Sequence, residues 1–211
     1  MGERGKFIVF EGCDGTGKST MIARLVSDLS ARGVRVTATR EPGGTAIGEK
    51  VRSILLDRHN TGMTMRTEAL LYAASRAQLV EEVVRPALEQ GNVVICERYF
   101  YSSLVYQGGA GGLDQEAVRR VNRWATGDLL PDVVVLLDMD PRASLSRRQA
   151  GKDRIENRQM AYHHAVRRHY LDLAREEPSR FVVIDASMAP DDVYAKVADA
   201  VERILESRRL A

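Results

Sequence analysis

The chain has 211 residues, 44% of them hydrophobic and 28% charged, with a formal net charge of +2. Those proportions describe a globular chain that buries roughly 70% of its unfolded surface, not a disordered or membrane-spanning one. So small a net charge gives no case for a nucleic-acid partner. No apolar run reaches the roughly 18 residues of a transmembrane helix, and the polar start from Met1 to Lys6 carries no signal-peptide core. Cys13 and Cys96 are the two cysteines, too few for a disulfide framework and read as free thiols. The expectation is one cytoplasmic domain over 1–211, with no membrane partner.

Phe7-Ile8-Val9-Phe10 opens the chain as a short apolar strand. A glycine-rich turn follows, then a helix with Ile22, Leu25, Val26 and Leu29 on one face. Gly33 stands where a helix-terminating glycine belongs. Val34, Val36 and Ala38 mark a weaker second strand, and Thr45–Leu56 a helix that buries Ile47, Val51, Ile54 and Leu55. Residues 57–66 read as a polar loop. A long helix is expected from Thr67 to Gln90, kinked or interrupted by Pro86, which lacks an N–H. The third, fourth and fifth strands fall at Val93–Cys96, Val133–Leu137 and Phe181–Ile184. Asp140-Pro141 reads as an N-cap followed by proline at the first helical position. Two further helices are expected, over 157–176 and 190–207. The run Gly108-Gly109-Ala110-Gly111-Gly112 reads as a flexible loop on turn chemistry. Strands that are continuous apolar runs are covered on both faces, so the fold class is α/β: a five-stranded parallel sheet flanked by helices.

Gly12-Cys13-Asp14-Gly15-Thr16-Gly17-Lys18-Ser19 fits G-x-x-x-x-G-K-[ST], between a strand and a helix as that motif requires. Its glycines let the backbone curl so that successive N–H groups point at phosphate oxygens. The helix N-terminus adds partial positive charge. Lys18 is placed on the β- and γ-phosphates, Ser19 on Mg²⁺, and Thr20 completes the ATP-binding set. Cys13 reads as a small residue that fits the turn, although a helix N-terminus can lower a thiol pKa.

Further segments bear on the acceptor. They are Phe10-Glu11 with the phosphate loop, Arg40-Glu41-Pro42-Gly43-Gly44-Thr45, Leu71-Tyr72-Ala73-Ala74-Ser75-Arg76, Glu97-Arg98-Tyr99 with Ser102-Ser103 and Tyr106-Gln107-Gly108, and Asp153-Arg154-Ile155-Glu156. In this order and spacing the chain resembles the bacterial thymidylate kinase family, within the P-loop nucleoside-monophosphate kinases, over nearly its whole length. The resemblance implies phosphoryl transfer from ATP to dTMP, Mg²⁺ as cofactor, a homodimer and a short lid over about 147–156. It implies that Tyr72 stacks on the thymine ring and that Arg76 and Arg98 grip the dTMP phosphate, Arg98 lying beside the transferred group. Ser103 and Gln107 correspond to base-pocket positions, Tyr106 to one near the sugar and Arg52 to one near the thymine. Asp14 corresponds to an acid that reaches the acceptor or the ion network, and Glu41 and Pro42 fall on the substrate side. Glu97, where many members have Asp, corresponds to the metal-binding carboxylate beside Ser19. Tyr101 also stands where some members carry Asp.

An acceptor that is itself a phosphate monoester is mostly dianionic at neutral pH. No general base is then required, and catalysis reduces to charge neutralisation and in-line alignment. Arginine suits the task because its planar fork binds phosphate bidentately and stays charged. One branch of the family has an arginine in the phosphate loop; this loop carries none and resembles the other branch, which implies a lid arginine over ATP, with Arg147 and Arg148 as candidates and Arg154 next. Two other readings remain open at this point. A deoxynucleoside kinase needs a carboxylate base for a 5′-hydroxyl, and a non-catalytic P-loop switch of the GTPase kind needs an Asn-Lys-x-Asp motif, which the chain lacks.

Overall fold

The computed structural model describes residues 4–147 and 158–206. Five strands form one all-parallel sheet: β1 (Phe7–Glu11), β2 (Val36–Arg40), β3 (Val93–Glu97), β4 (Val133–Asp138) and β5 (Phe181–Asp185), in the order β2-β3-β1-β4-β5. The three central strands are buried along almost their whole length, β1 at all five residues. The edge strands β2 and β5 are the ones with partly exposed residues. Each expected strand is present.

Helices cover both faces. On one side α1 (Lys18–Ala31) and α9 (Pro190–Glu206) enclose Ile8, Phe10, Leu25, Leu29, Ile95, Val135 and Val197. On the other, Phe7, Val9, Val94, Cys96, Val134 and Leu136 pack against the helices that follow β2 and β3 and against α8 (Met160–Glu176). Gly33 ends α1 in the left-handed region at φ 75. α2 (Ala46–Leu56) is capped by Thr45, whose side chain accepts from the Gly48 N–H. Asp140 caps α7 (Pro141–Ser146) by accepting from Arg142, with proline inside the first turn. Gly33 and Asp140-Pro141 stand where the sequence puts them, and Thr45, expected as the first helical residue, is the cap.

The long helix after α2 starts two residues earlier than expected. α3 (Met65–Leu79) begins on a Thr64 cap that accepts from Thr67. At Pro86 the chain does not break. A π-helical turn over Val80–Val84 carries α3 into α4 (Arg85–Glu89). Proline has no N–H for the Glu82 carbonyl, and widening the preceding turn accommodates that loss without ending the helix.

The glycine run corrects an expectation. Gly108 and Gly109 are helical, at the end of a π segment (Leu104–Gly109) that continues α5 (Phe100–Ser103). Gly108 is buried, and a side chain on Gly109 would strike the His169 ring at 2.4 Å. These glycines serve close packing there and are not a free loop. Residues 100–109 are apolar almost all round and show no helical period, so no helix is legible in them. α6 (Gln115–Thr126) was also missed, because most of it is polar and Asp114 is its one clear start signal. The expected helix starts and ends at Asn157 and Ser207 lie outside the described residues, as does most of the lid, including Arg148 and Arg154. Among the described residues no helix is long and apolar enough to cross a membrane.

Candidate active site

Parallel strands deliver their C-terminal ends to one edge of the sheet, and ligands bind there where the strand order reverses. A cavity of about 990 Å³ opens on that edge. β1 runs into the phosphate loop, β2 into Glu41-Pro42, β3 into Glu97-Arg98 and β5 into Ala186. Backbone bonds lock these ends together: the Arg98 N–H donates to the Phe10 carbonyl at 2.8 Å and the Glu41 N–H to that of Glu97 at 2.9 Å.

Asp14, Gly15, Thr16, Gly17, Lys18, Ser19 and Thr20 all form cavity wall. Gly12 and Cys13 lie behind, as the turn that aims it. Gly12 sits at φ 132, and a Cβ there would lie 2.4 Å from the Leu137 carbonyl oxygen, so only glycine fits. The Lys18 ammonium folds back over the loop, donating to the Gly12 and Cys13 carbonyls at 3.1 and 2.9 Å. Burial, with the nearby Arg98 charge, pulls its pKa down to about 8. Burial pushes the Cys13 thiol up to about 11, against the pull of Lys18. Cys13 is therefore an unreactive turn residue, and the helix N-terminus does not activate it.

Ser19 donates to the Glu97 carboxylate at 2.9 Å, and both line the cavity. A hydroxyl and a carboxylate together at the phosphate loop are hard oxygen donors of the kind Mg²⁺ takes alongside phosphates, so these two residues fit the expected ion. Glu97 spans the gap from β3 with its extra methylene.

Arg98 reaches the cavity from the end of β3 with its backbone in the left-handed region, at φ 68. Its guanidinium donates to Asp14 at 2.6 Å and to the hydroxyls of Ser102 and Tyr170, each at 3.2 Å, and lies over the Tyr106 ring. Burial opposes its charge, but the oxygens of Tyr106, Asp14, Tyr170 and Glu11 around it hold its pKa well above the ordinary value. Tyr106 shares the wall.

Arg76 occupies a different position. It is 1% exposed and is not part of the cavity wall. Its guanidinium donates to Glu41 at 2.5 Å, to Ser103 at 3.1 Å, to the Tyr99 carbonyl at 3.3 Å and to Asn122. Burial pushes the Glu41 carboxyl up to about 7 even with Arg76 alongside. Arg52 instead stands on the wall with Arg98, its guanidinium donating to the Pro42 carbonyl at 2.8 Å. The residue expected near the base thus lies on the cavity wall, and one of the two expected at the phosphate lies behind it. Gln107 (2% exposed) donates to Glu68 at 2.8 Å, and Ser103 is equally deep. Tyr72 is half-buried on α3. Arg147 lines the far end of the cavity and donates to the Ala186 carbonyl at 3.2 Å.

Two residues of this site carried no role in the sequence reading. Glu11, fully buried, accepts from the Tyr99 and Ser102 N–H groups and from the Ser102 and Tyr170 hydroxyls. Tyr170, from α8, meets both Arg98 and Glu11. Glu11 was visible only as part of a motif, and no local signal marks Tyr170, 72 residues from Arg98.

A family model described as thymidylate kinase matches residues 10–197. A curated thymidylate kinase from Symbiobacterium thermophilum is 50% identical over 203 residues, covering 96% of this chain and 95% of that protein. One from Caldanaerobacter subterraneus subsp. tengcongensis is 48% identical over 208 residues, covering 98% and 100%. One from Deinococcus radiodurans is 48% identical over 200 residues, covering 94% and 97%. With the phosphate loop, the all-parallel sheet and these matches along almost the full chain, the protein belongs to the thymidylate kinase family.

Proposed function

We propose that this protein transfers the γ-phosphoryl group of ATP to dTMP, giving ADP and dTDP for dTTP synthesis in the cytoplasm. The observation that carries the reading is the placement of Lys18 and Arg98 on one cavity, from the ends of adjacent strands, in a chain of this family.

The two substrates are polyanions, and their mutual repulsion is the barrier that the residues of the site address. The backbone N–H groups from Asp14 to Thr20 and the Lys18 ammonium hold the ATP phosphates. Arg98 and Arg52, both on the wall, take the acceptor phosphate. Binding of that dianion draws Arg98 away from Asp14, whose carboxylate occupies the same guanidinium edge. Arg76 acts from behind by fixing Glu41, Ser103 and the pocket floor. Tyr72, Ser103 and Gln107 face the base, Tyr106 the sugar, and Arg147 the nucleotide on the donor side. Ser19 and Glu97 would hold Mg²⁺, which would add to the neutralisation of the ATP phosphates. The acceptor is ionised already, so no residue has to remove a proton, and in the free protein the carboxylates Asp14 and Glu97 are engaged with Arg98 and Ser19.

We also propose that two chains assemble through α2, α3 and α6. α2 packs on α3 and α3 on α6, and these helices expose Ile47, Ile54, Leu70 and Trp124, the last at 88%. Such clustered apolar exposure marks an association surface.

The experiment is an ATP-consumption assay with dTMP, dUMP, dCMP, AMP and thymidine as acceptors. The reading requires dTMP to be the best acceptor and thymidine to be inert. Turnover of thymidine faster than dTMP supports a nucleoside kinase instead.

A further inference from the structure

The Arg98 guanidinium can only donate hydrogen bonds. Its Nη1 meets two hydroxyls, Ser102 Oγ and Tyr170 OH, each at 3.2 Å, so both must present lone pairs to it. Each hydroxyl has one proton, which must go elsewhere. The Glu11 carboxylate lies 2.7 Å from each of them. Glu11 is 0% exposed, and its other oxygen takes the N–H groups of Tyr99 and Ser102 at 2.9 and 3.2 Å. A buried carboxylate with this many donors has its hydrogen-bonding capacity met. Burial, reinforced by Glu11, holds the Tyr170 pKa well above its ordinary value, so the hydroxyl keeps the proton it donates. The two hydroxyls also lie 2.9 Å apart, so one can donate to the other; in either arrangement both present lone pairs to Arg98 and at least one proton goes to Glu11.

We propose that Tyr170, with Ser102 and Glu11, is a positioning residue for phosphoryl transfer: it anchors one nitrogen of Arg98 so that the other faces the acceptor phosphate. The inference rests on the reading of Arg98 as the acceptor's cation. The left-handed backbone of Arg98 agrees with it, since a non-glycine residue keeps that conformation only where its surroundings hold it. A Tyr170 that served packing alone would meet its neighbours through the ring, as it also does edge-on with Tyr106, and its hydroxyl would be dispensable.

The test is a double-mutant cycle measured in single turnovers of ATP and dTMP. Tyr170→Phe keeps the ring and removes the hydroxyl. It is expected to lower the transfer rate about 10- to 100-fold, with the KM for ATP within about twofold. In an Arg98→Lys background the same change should cost less than about threefold, because the group it positions is gone. Equal losses in both backgrounds, or an unchanged rate in the single variant, overturn the proposal. If Tyr170→Phe does not fold, Ser102→Ala enters the same cycle under the same criterion. Turnover of dTMP by the unaltered chain reports on the underlying functional reading, separately from the coupling.

Discussion

Lys18 has a pKa of about 8 because it is buried among carbonyls without a counter-ion as close as a phosphate. Above that pH the free protein holds a neutral amine, and a bound triphosphate restores the charge by raising the pKa again. Nucleotide binding should therefore take up a proton at pH 8.5 and almost none at pH 6.5, and affinity for ATP should fall as pH rises past about 8. Calorimetry in buffers of different ionisation enthalpy measures that uptake, and Lys18→Met should abolish it. For Arg98→Ala the expected result is a loss of two or more orders of magnitude in turnover with ATP affinity within about threefold, because the proposed reading gives this cavity-wall side chain to the acceptor and not to the triphosphate. Near-normal turnover of that variant would contradict its role. Residue types and spacing reveal which side chains take part, but not which way they face. Arg52 and Arg76 show the limit. Both are arginines on adjacent helices, and only burial separates the one on the cavity wall from the one locked to Glu41.

At the scale of elements, the site depends on strand ends and helix starts that local chemistry defines. The Thr45 cap holds the first turn of α2, which follows the Glu41-Pro42 end of β2. Thr45→Ala should cost about 1 kcal/mol, read as a lowered midpoint in urea unfolding with an unchanged slope. An unchanged midpoint would mean that the cap carries no weight. Strands, caps and the phosphate loop were legible because each has a period or a fixed-offset signal within a few residues. The π turns over 80–84 and 104–109 were not. The first answers Pro86 by changing hydrogen-bond register, and the second buries Gly108 beside Gln115 and sets Gly109 against His169 of α8. The second is settled by packing partners distant in sequence. The same holds for Tyr170, which reaches Glu11 across 159 residues.

Across the whole molecule, the sheet edge brings cations from separate segments to one cavity, and α2 carries both Arg52 of its wall and the exposed Ile47 and Ile54, with Leu70 and Trp124 on α3 and α6. Sedimentation velocity should show a dimer, and Leu70→Glu should shift it to monomer by placing charge in the proposed interface. A monomeric unaltered chain would remove that proposal while leaving the cavity as described. The central claim is that two polyanions meet end to end in one cationic cavity. A bisubstrate ligand, adenosine and thymidine joined 5′ to 5′ through five phosphates, tests it by isothermal titration. The account predicts one site per chain, at least about 100-fold tighter than ATP or dTMP alone, with most of that gain lost in Arg98→Ala. Binding no tighter than ATP, or indifferent to Arg98, would contradict it.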